Sequence, residues 1–322
     1  MFELVFLGTA ASAPTVERNL SSAMLLHRER RFLIDCGEGT QRQIMRSGLG
    51  FKRLDLVLLT HGHLDHILGL GGIAATMARW GNLSRMTIYG GRWALERVRA
   101  LMEVVLRGDE VQLEVQYVPI RAGRILADEH LEVWAFPVSH RGPGNYGFLF
   151  REPDRRPFLP EKAEALGVPA GPERRRLVLG ESVRLPDGRI VHPDEVLGPA
   201  QPGTRLAYVG DAARVDDLVE VVRGADALVI EATYLTEDAE LARQFGHLTA
   251  REAAWLARQA GVGHLYLTHI SQRYPTTAIL EEAGAVFPHV TVAADLERYL
   301  IRRGPSELDI CPPARYTGVG QR

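Results

Sequence analysis

The sequence predicts an α/β protein in which sheets are flanked by helices. Short apolar runs recur along the 322 residues, and most of them end at Gly, Asp, His or Thr. Several of these runs are continuously apolar, as expected for strands that are covered on both faces. Amphipathic helical patterns lie between many of the runs, and this alternation is typical of an α/β fold.

The strands are predicted where β-branched and aromatic residues concentrate in short runs. They are residues 2–8, 32–37, 54–61, 86–91, 131–140, 147–150, 205–211, 227–234 and 264–270. Helices are predicted where apolar residues recur at helical spacing. They are residues 91–106, 214–223, 236–244, 249–260 and 276–284. Thr249 and Glu252 have the spacing of a capping box, which places the start of the fourth helix.

One segment interrupts this alternation. Residues 151–202 hold nine of the chain's 18 prolines together with many charged residues, and their core periodicity is weak. The segment is too long for an ordinary connection. We therefore expect one domain over residues 1–302, with 151–202 as an inserted, protruding arm, and a poorly ordered tail over 303–322.

Composition narrows the class of protein. The formal net charge is −2, so the whole surface does not have the basic character of many nucleic-acid binders, although a local basic patch stays possible. Cys36 and Cys311 are far apart and form no CxxC motif, which favours reduced thiols in the cytoplasm. The first residues lack a basic region and a long apolar run, so we expect neither a signal peptide nor a membrane span.

A histidine-rich loop carries the strongest chemical signal. The sequence THGHLDH directly follows an apolar run and contains His61, His63, Asp65 and His66. Imidazole and carboxylate are ligands of borderline divalent metals. His61 and His63 can face one side of the loop and Asp65 and His66 another, which suits two neighbouring metals better than one.

Three further candidate ligands stand at predicted strand ends. The carboxyl ends of strands are where α/β folds build their sites. The residues are His140, Asp211 and His269. Each alone is more easily explained as a structural residue, but beside the histidine-rich loop they complete seven ligands for two metals if Asp211 bridges. The histidines without this context are interpreted as structural or surface residues: His27, His130, His192, His264 and His289.

The predicted charge of the site suggests its substrate. Two divalent cations carry more positive charge than two aspartates neutralise, which favours an anionic substrate such as a phosphodiester. Asp65 is placed to orient a water molecule or to take its proton. A leaving alkoxide needs a proton, and His247 paired with Glu231 is the candidate donor. His247 also stands next to a helix start, so a structural role there is the alternative.

Beyond the histidine-rich loop, five segments together resemble one family. They are FLGTAASAPTVERNLSSAMLL, FLIDCGEGTQRQI, GDAARV, IEATY and LTHISQRY. With THGHLDH and the downstream ligands, the chain resembles the metallo-β-lactamase superfamily, and within it the ribonuclease Z family of tRNA 3′-processing endonucleases. The resemblance extends from residue 2 to about residue 300.

The resemblance implies an αβ/βα four-layer sandwich with two zinc ions per subunit, manganese being possible. His61, His63 and His140 would hold one ion, Asp65, His66 and His269 the other, and Asp211 would bridge. Asp65 would be the general base, and Glu231 with His247 would serve the leaving group.

The resemblance also implies a substrate and its contacts. The substrate would be precursor tRNA, cut after the discriminator base by a cytoplasmic homodimer without a membrane segment. The arm would grip the tRNA body, with Arg174, Arg175 and Arg176 near phosphates, and Arg273 would contact substrate near the metals. Ile230 and Leu248 depart from the family motifs. These departures put the fine positioning of the site residues and the substrate preference in question.

Other functions stay open at this point. A phosphodiesterase acting on small diesters or on other RNAs would use the same metals. Hydrolysis of a thioester or a lactam would not account for the arm or for the LTHISQRY segment. A non-catalytic RNA-binding scaffold would need a disabled centre, whereas all seven ligands are present.

Overall fold

A computed structural model describes residues 1–80, 85–107, 113–303 and 310–311. Its strands are β1 (Phe2–Gly8), β2 (Ser22–His27), β3 (Arg30–Ile34), β4 (Leu56–Leu58), β5 (Arg85–Gly90), β6 (Glu114–Pro119), β7 (Gly123–Ala127), β8 (Glu132–Pro137), β9 (Tyr146–Arg151), β10 (Val183–Arg184), β11 (Ile190–Val191), β12 (Arg205–Gly210), β13 (Ala227–Glu231), β14 (His264–Thr268), β15 (Val290–Val292), β16 (Arg298–Ile301) and β17 (Ile310–Cys311).

Its helices are α1 (Thr40–Arg46), α2 (Leu64–Ile67), α3 (Gly69–Trp80), α4 (Arg92–Val105), α5 (Pro160–Ala165), α6 (Pro172–Val178), α7 (Pro193–Val196), α8 (Val219–Val222), α9 (Ala239–Phe245), α10 (Ala250–Ala260) and α11 (Thr276–Gly284), with a 3₁₀ turn at Thr236–Asp238. In the part of the chain that the structure describes, no helix has the length and apolar character needed to cross a bilayer.

Two large mixed sheets form the centre of the fold. The first has the order β17-β16-β1-β2-β3-β4-β5-β6, and the second has the order β15-β14-β13-β12-β9-β8-β7. Side chains from both sheets, including Phe32 and Phe150, form one buried cluster between them. A second cluster joins α1, α3 and α4 to the first sheet, and a third joins α10 and α11 to the second. The four-layer αβ/βα sandwich is therefore confirmed.

The predicted strands and most of the predicted helices are present, with shifted bounds. The capping box of α10 is confirmed, since the Thr249 hydroxyl accepts from the backbone N–H of Glu252 at 3.2 Å and the Glu252 carboxylate accepts from the backbone N–H of Thr249. The helix predicted over 214–223 was too long, because residues 215–218 form a turn and only Val219–Val222 is helical.

Helix α3 was not predicted because its sequence, GLGGIAATMARW, is rich in glycine. Glycine is unfavourable in a helix, but here it permits close packing. A Cβ atom on Gly69 would lie 2.1 Å from the carbonyl oxygen of Gly37. The glycine therefore lets the helix that follows the histidine-rich loop pack directly against the turn after β3.

The inserted segment forms its own compact unit over Glu152–Gly203, separate from a unit made of the residues before and after it. It contains α5, α6, α7 and the β10–β11 hairpin. The weak core periodicity of this segment has a structural reason. Short elements give no long repeat, yet they bury a small apolar cluster: Ala163, Val168, Leu177, Val183, Leu185, Val191, Val196 and Leu197. The predicted tail over 303–322 lies outside the described residues except for Arg303 and β17.

Candidate metal centre

The candidate ligands follow strands whose carboxyl ends face one another across the two sheets. His61 follows β4 in the first sheet, and Asp211 and His269 follow β12 and β14 in the second. Strands β3 to β6 are mutually parallel, as are β12 to β15. Their carboxyl ends therefore share one edge in each sheet, which is where α/β folds place their sites.

The carboxylate of Asp211 lies at the middle of the cluster. Its Oδ2 atom is 3.3 Å from His269 Nε2 and 3.5 Å from His66 Nε2. The same oxygen is 3.8 Å from the Nε2 atoms of both His61 and His140. One buried carboxylate oxygen thus faces four imidazole nitrogens that belong to two separate groups.

The first group consists of His61, His63, His140 and Asp211. His63 Nδ1 lies 2.9 Å from His61 Nε2 and 3.3 Å from His140 Nε2. A neutral imidazole carries only one N–H, so three converging ring nitrogens cannot satisfy one another by hydrogen bonds. Convergence of this kind is the arrangement that a cation between them stabilises.

The second group consists of Asp65, His66 and His269. Asp65 Oδ2 lies 3.7 Å from His66 Nε2 and 3.5 Å from His269 Nε2. The backbone N–H of Ser12 donates to the same carboxylate oxygen at 3.1 Å. Asp65 is therefore held between the two histidines and the loop that follows β1.

Three buried atoms of the cluster lack a hydrogen-bond partner among the described residues: His66 Nε2, His269 Nε2 and Asp211 Oδ1. Buried polar atoms are normally satisfied, so these need another partner. Ligand atoms around a tetrahedral zinc with bonds of about 2.0–2.2 Å lie about 3.3–3.6 Å apart. The spacings found here fall close to this range, and the His/Asp set suits a divalent metal site.

Outer hydrogen bonds fix the histidine rings. His66 Nδ1 lies 2.8 Å from Asp35 Oδ2, and His61 Nδ1 lies 3.0 Å from Thr60 Oγ1. His140 Nδ1 lies 2.7 Å from the carbonyl oxygen of Gly246, and His269 Nδ1 lies 2.8 Å from Thr233 Oγ1. These four rings therefore use Nδ1 outward and direct Nε2 into the cluster, as metal-ligating histidines do, whereas His63 directs its Nδ1 atom inward.

Asp35 is a functional residue that the sequence analysis missed. It is fully buried, accepts from the backbone N–H and the hydroxyl of Thr60 at 2.8 and 2.7 Å, and orients His66. The signal for it was present, since Asp35 directly follows β3 in the segment DCGEGT. The rule that selected Asp211, a carboxylate at a strand end, applies to it equally.

Asp35→Asn is expected to lower metal affinity about 10- to 100-fold, because loss of an outer carboxylate weakens a histidine ligand. Titration of the metal-free protein with zinc against a competing chelator measures the change. The control is Asp55→Asn, a change outside the cluster that is expected to leave the affinity unchanged. Equal zinc affinity in the wild type and Asp35→Asn would contradict the assignment.

Burial and mutual repulsion control the protonation of the histidines. Burial and the neighbouring His66 hold the pKa of His61 well below its usual value, and burial with His140 lowers the pKa of His63 to about 4. Burial also lowers the pKa of His66, but Asp211 and Asp35 outweigh it and raise that pKa well above its usual value. His61 and His63 are therefore neutral at pH 7, the form that binds a metal.

Glu231 and His247 form a pair at the edge of the cluster. His247 Nδ1 lies 3.0 and 3.1 Å from the two carboxylate oxygens of Glu231, which is completely buried. The backbone N–H of Ala212 donates to the same carboxylate at 2.7 Å, and the hydroxyl of Thr233 also donates to it. Burial lowers the pKa of His247, but Glu231 outweighs it and raises the pKa to about 9. His247 is therefore protonated at neutral pH.

A cleft of about 340 Å³ opens at the cluster. Its lining includes Asp65, Asp211, His247 and Arg273, so the structure brings Arg273 to the site.

The three arginines of the arm differ in their contacts. Arg174 donates to the Val168 carbonyl at 3.1 Å, Arg176 pairs with Glu181 at 2.9 Å, and Arg175 is exposed: the first two are engaged within the arm.

Comparisons with known proteins agree with this geometry. A family profile described as "Beta-lactamase superfamily domain" matches residues 183–270, and one described as "Anti-Pycsar protein Apyc1" matches residues 2–154. The metallo-β-lactamase fold protein YhfI from Bacillus subtilis superposes with a TM-score of 0.65 at 17% identity, over 92% of this chain and 98% of that chain. The fold and the site thus define a metallo-β-lactamase-fold protein.

Closer relatives specify the family. Ribonuclease Z of Bradyrhizobium diazoefficiens is 44% identical over 301 residues, which cover 94% of this chain and 100% of that protein. Ribonuclease Z of Geobacillus kaustophilus is 37% identical over 94% of this chain and 100% of that protein. The chain belongs to the ribonuclease Z family. The crystal structure of human tRNase Z, short form, superposes with a TM-score of 0.64 at 25% identity, over 93% of this chain and 99% of that chain.

Proposed function

We propose that this chain is a zinc-dependent endoribonuclease that removes the 3′ trailer from precursor tRNA. It cuts after the discriminator base, leaving a 3′-hydroxyl on the tRNA and a 5′-phosphate on the trailer. The observation that carries the proposal is a complete His/Asp cluster with an adjoining Glu–His pair in a chain that matches ribonucleases Z along nearly its whole length.

The ligand assignment follows the two groups of the cluster. His61, His63 and His140 would hold one zinc ion, Asp65, His66 and His269 would hold the other, and Asp211 would be shared between them. Two bound divalent cations supply positive charge that activates water and stabilises the charge developing on a phosphodiester. Manganese accepts the same ligand types and is the alternative metal.

Asp65 accepts a proton in the proposed reaction, and His247 donates one. Burial raises the pKa of the Asp65 carboxyl, but the neighbouring His269 and His66 outweigh it and hold the pKa well below its usual value. Asp65 therefore stays ionised, able to orient the attacking water and to accept its proton. Protonated His247, aimed by Glu231, donates the proton that the leaving O3′ atom of the tRNA needs.

The arm supplies affinity for the tRNA body through phosphates near Arg174, Arg175 and Arg176, while Arg273 contacts substrate at the cleft. The protein works as a cytoplasmic homodimer. Sedimentation equilibrium of the purified protein tests the dimer, and a monomer at working concentration would contradict it.

Deleting the arm is expected to weaken tRNA cleavage and to spare a small diester. Arg155 and Gln201 exchange backbone hydrogen bonds of 2.8 and 2.7 Å, so an Asn-Gly turn can replace residues 156–200 between them. We expect kcat/KM on precursor tRNA to fall about 100-fold, since several phosphate contacts are lost. The rate on bis(p-nitrophenyl) phosphate stays unchanged. Equal losses on both substrates would contradict the role of the arm.

The deciding experiment is cleavage of a 3′-extended precursor tRNA with mapping of the new ends, alongside mature tRNA. We expect one cut after the discriminator base. If bis(p-nitrophenyl) phosphate is hydrolysed but the precursor stays intact, the protein is instead a phosphodiesterase for small diesters or other RNAs.

A further inference from the structure

A second cleft adjoins the metal centre. It has a volume of about 640 Å³, and its lining includes Arg92, Trp93, Arg121, Pro143 and Tyr146. The Trp93 ring lies 5.7 Å from the His63 ring, and His63 lines the first cleft. The segment after His140 contributes to both clefts, with Arg141 in the first and Pro143 in the second. The two clefts therefore meet along His63 and this segment.

The cleft charges favour an anionic strand. Arg92 and Arg121 are exposed, and neither forms an ion pair with a carboxylate in residues 1–80, 85–107 and 113–303. Arg141 and Arg273 in the first cleft are also exposed, and neither forms an ion pair with a carboxylate within the same ranges. Many other exposed arginines do have such partners, for example Arg223 with Glu220 at 2.5 Å. Among the described residues that line the second cleft, Glu96 is the one with an acidic side chain, so the arginines outnumber it.

The same cleft offers aromatic surface. Trp93 and Tyr146 are half-buried, and both residues line the cleft. Aromatic rings stack on nucleic-acid bases without regard to sequence, and basic side chains beside them follow the phosphates. The volume is within the range of about 300–1,000 Å³ typical of small-molecule sites. The chemistry is that of a site for unpaired nucleotides.

The order of the histidine rings gives the direction of the strand. The His140 ring lies 5.0 Å from the His63 ring and 5.1 Å from the His247 ring. The other ring contacts differ, since His63 contacts His61 and Trp93 whereas His247 contacts Tyr234 and His269. His247 marks the position of the leaving O3′ atom and hence of the tRNA body. The second cleft begins on the His63 side, away from His247, where the nucleotides beyond the scissile phosphate leave the centre.

We infer that the second cleft binds the first unpaired nucleotides of the 3′ trailer, with Arg92 and Arg121 contacting phosphates and Trp93 and Tyr146 contacting bases. The direction of the strand rests on the proposed function, whereas the binding of single-stranded RNA in this cleft does not. The arginines are specificity-determining residues for the length of the trailer, and they take no part in the chemical step.

The first test is binding. The probe is a 5′-phosphorylated RNA hexamer, measured by fluorescence anisotropy against the zinc-loaded wild type and the double variant Arg92→Gln/Arg121→Gln. We expect Kd to rise about tenfold and the slope of log Kd against log salt to fall by about 1.4, since each single-strand phosphate contact contributes about 0.7. Arg258→Gln, which removes one exposed charge from α10, is the control. Identical Kd and slope in the double variant and the control would overturn the inference.

The second test is trailer length. With a six-nucleotide trailer the double variant is expected to raise KM about tenfold with kcat unchanged, and with a one-nucleotide trailer KM stays at the wild-type value. The double variant is expected to hydrolyse bis(p-nitrophenyl) phosphate at the wild-type rate. An equal rise in KM for both trailers would overturn the inference. If the wild type leaves both precursors intact, the proposed function is contradicted instead. The hexamer measurement then decides whether the second cleft binds single-stranded RNA.

Discussion

Asp211→Ala is expected to remove metal from the protein and to lower activity on both precursor tRNA and bis(p-nitrophenyl) phosphate about 10²- to 10⁴-fold. The reason is its central place, since Asp211 Oδ2 lies within 3.8 Å of ring nitrogens from both groups of the cluster. Removing one partner of a buried charged set costs about 3–5 kcal/mol, because the remaining charge is left uncompensated. Metal analysis by mass spectrometry and steady-state rates measure the change.

The matched control is Asp226→Asn. Asp226 precedes β13, at the opposite end of the strand from Glu231, and accepts a hydrogen bond from the backbone N–H of Arg205 at 2.8 Å. We expect this variant to keep two metals per chain and wild-type rates. An Asp211→Ala protein with two metals and wild-type activity would rule out the bridging assignment.

His247→Ala is expected to lower kcat on precursor tRNA about 10²- to 10⁴-fold while the metal content stays at the wild-type value. The leaving O3′ atom needs a proton, and protonated His247, held 3.0 Å from Glu231, is the group placed to give it. Bis(p-nitrophenyl) phosphate releases a phenolate that leaves without a proton, so its hydrolysis is expected to change little. The ratio of the two rates is therefore the diagnostic measurement.

Glu231→Gln is expected to show the same selectivity with a smaller loss, because His247 stays in place but loses the carboxylate that keeps it charged. His130→Ala, a change at a histidine outside the cluster, is the control and should leave both rates unchanged. If His247→Ala loses zinc, or loses both activities equally, the histidine supports the metal centre and is not the acid.

The strand ends explain why so much of the site was predictable. Each ligand in the second sheet follows a strand whose apolar run is visible in the sequence, as with Asp211 after β12 and His269 after β14. Parallel strands bring their carboxyl ends to one edge, so local sequence is enough to bring these residues together. Ser12, which donates to Asp65, lies in a turn that no such rule covers.

The two departures from the family motifs also have a structural explanation. Ile230 and Leu248 are fully buried in the cluster that joins the second sheet to α10 and α11. Successive side chains of a strand point to opposite faces, so Ile230 packs into this layer while the neighbouring Glu231 reaches His247. These substitutions therefore change the packing behind the pair and keep the pair itself.

The sequence by itself determined the α/β class and singled out the candidate ligands, because these depend on local periodicity and on which residue follows each strand. Only the tertiary structure decided that Asp211 lies between two histidine groups, that Asp35 and Thr233 orient the rings, and that a second arginine-lined cleft meets the first at His63. These features join residues far apart in the chain, and their distances follow from how the two sheets pack face to face.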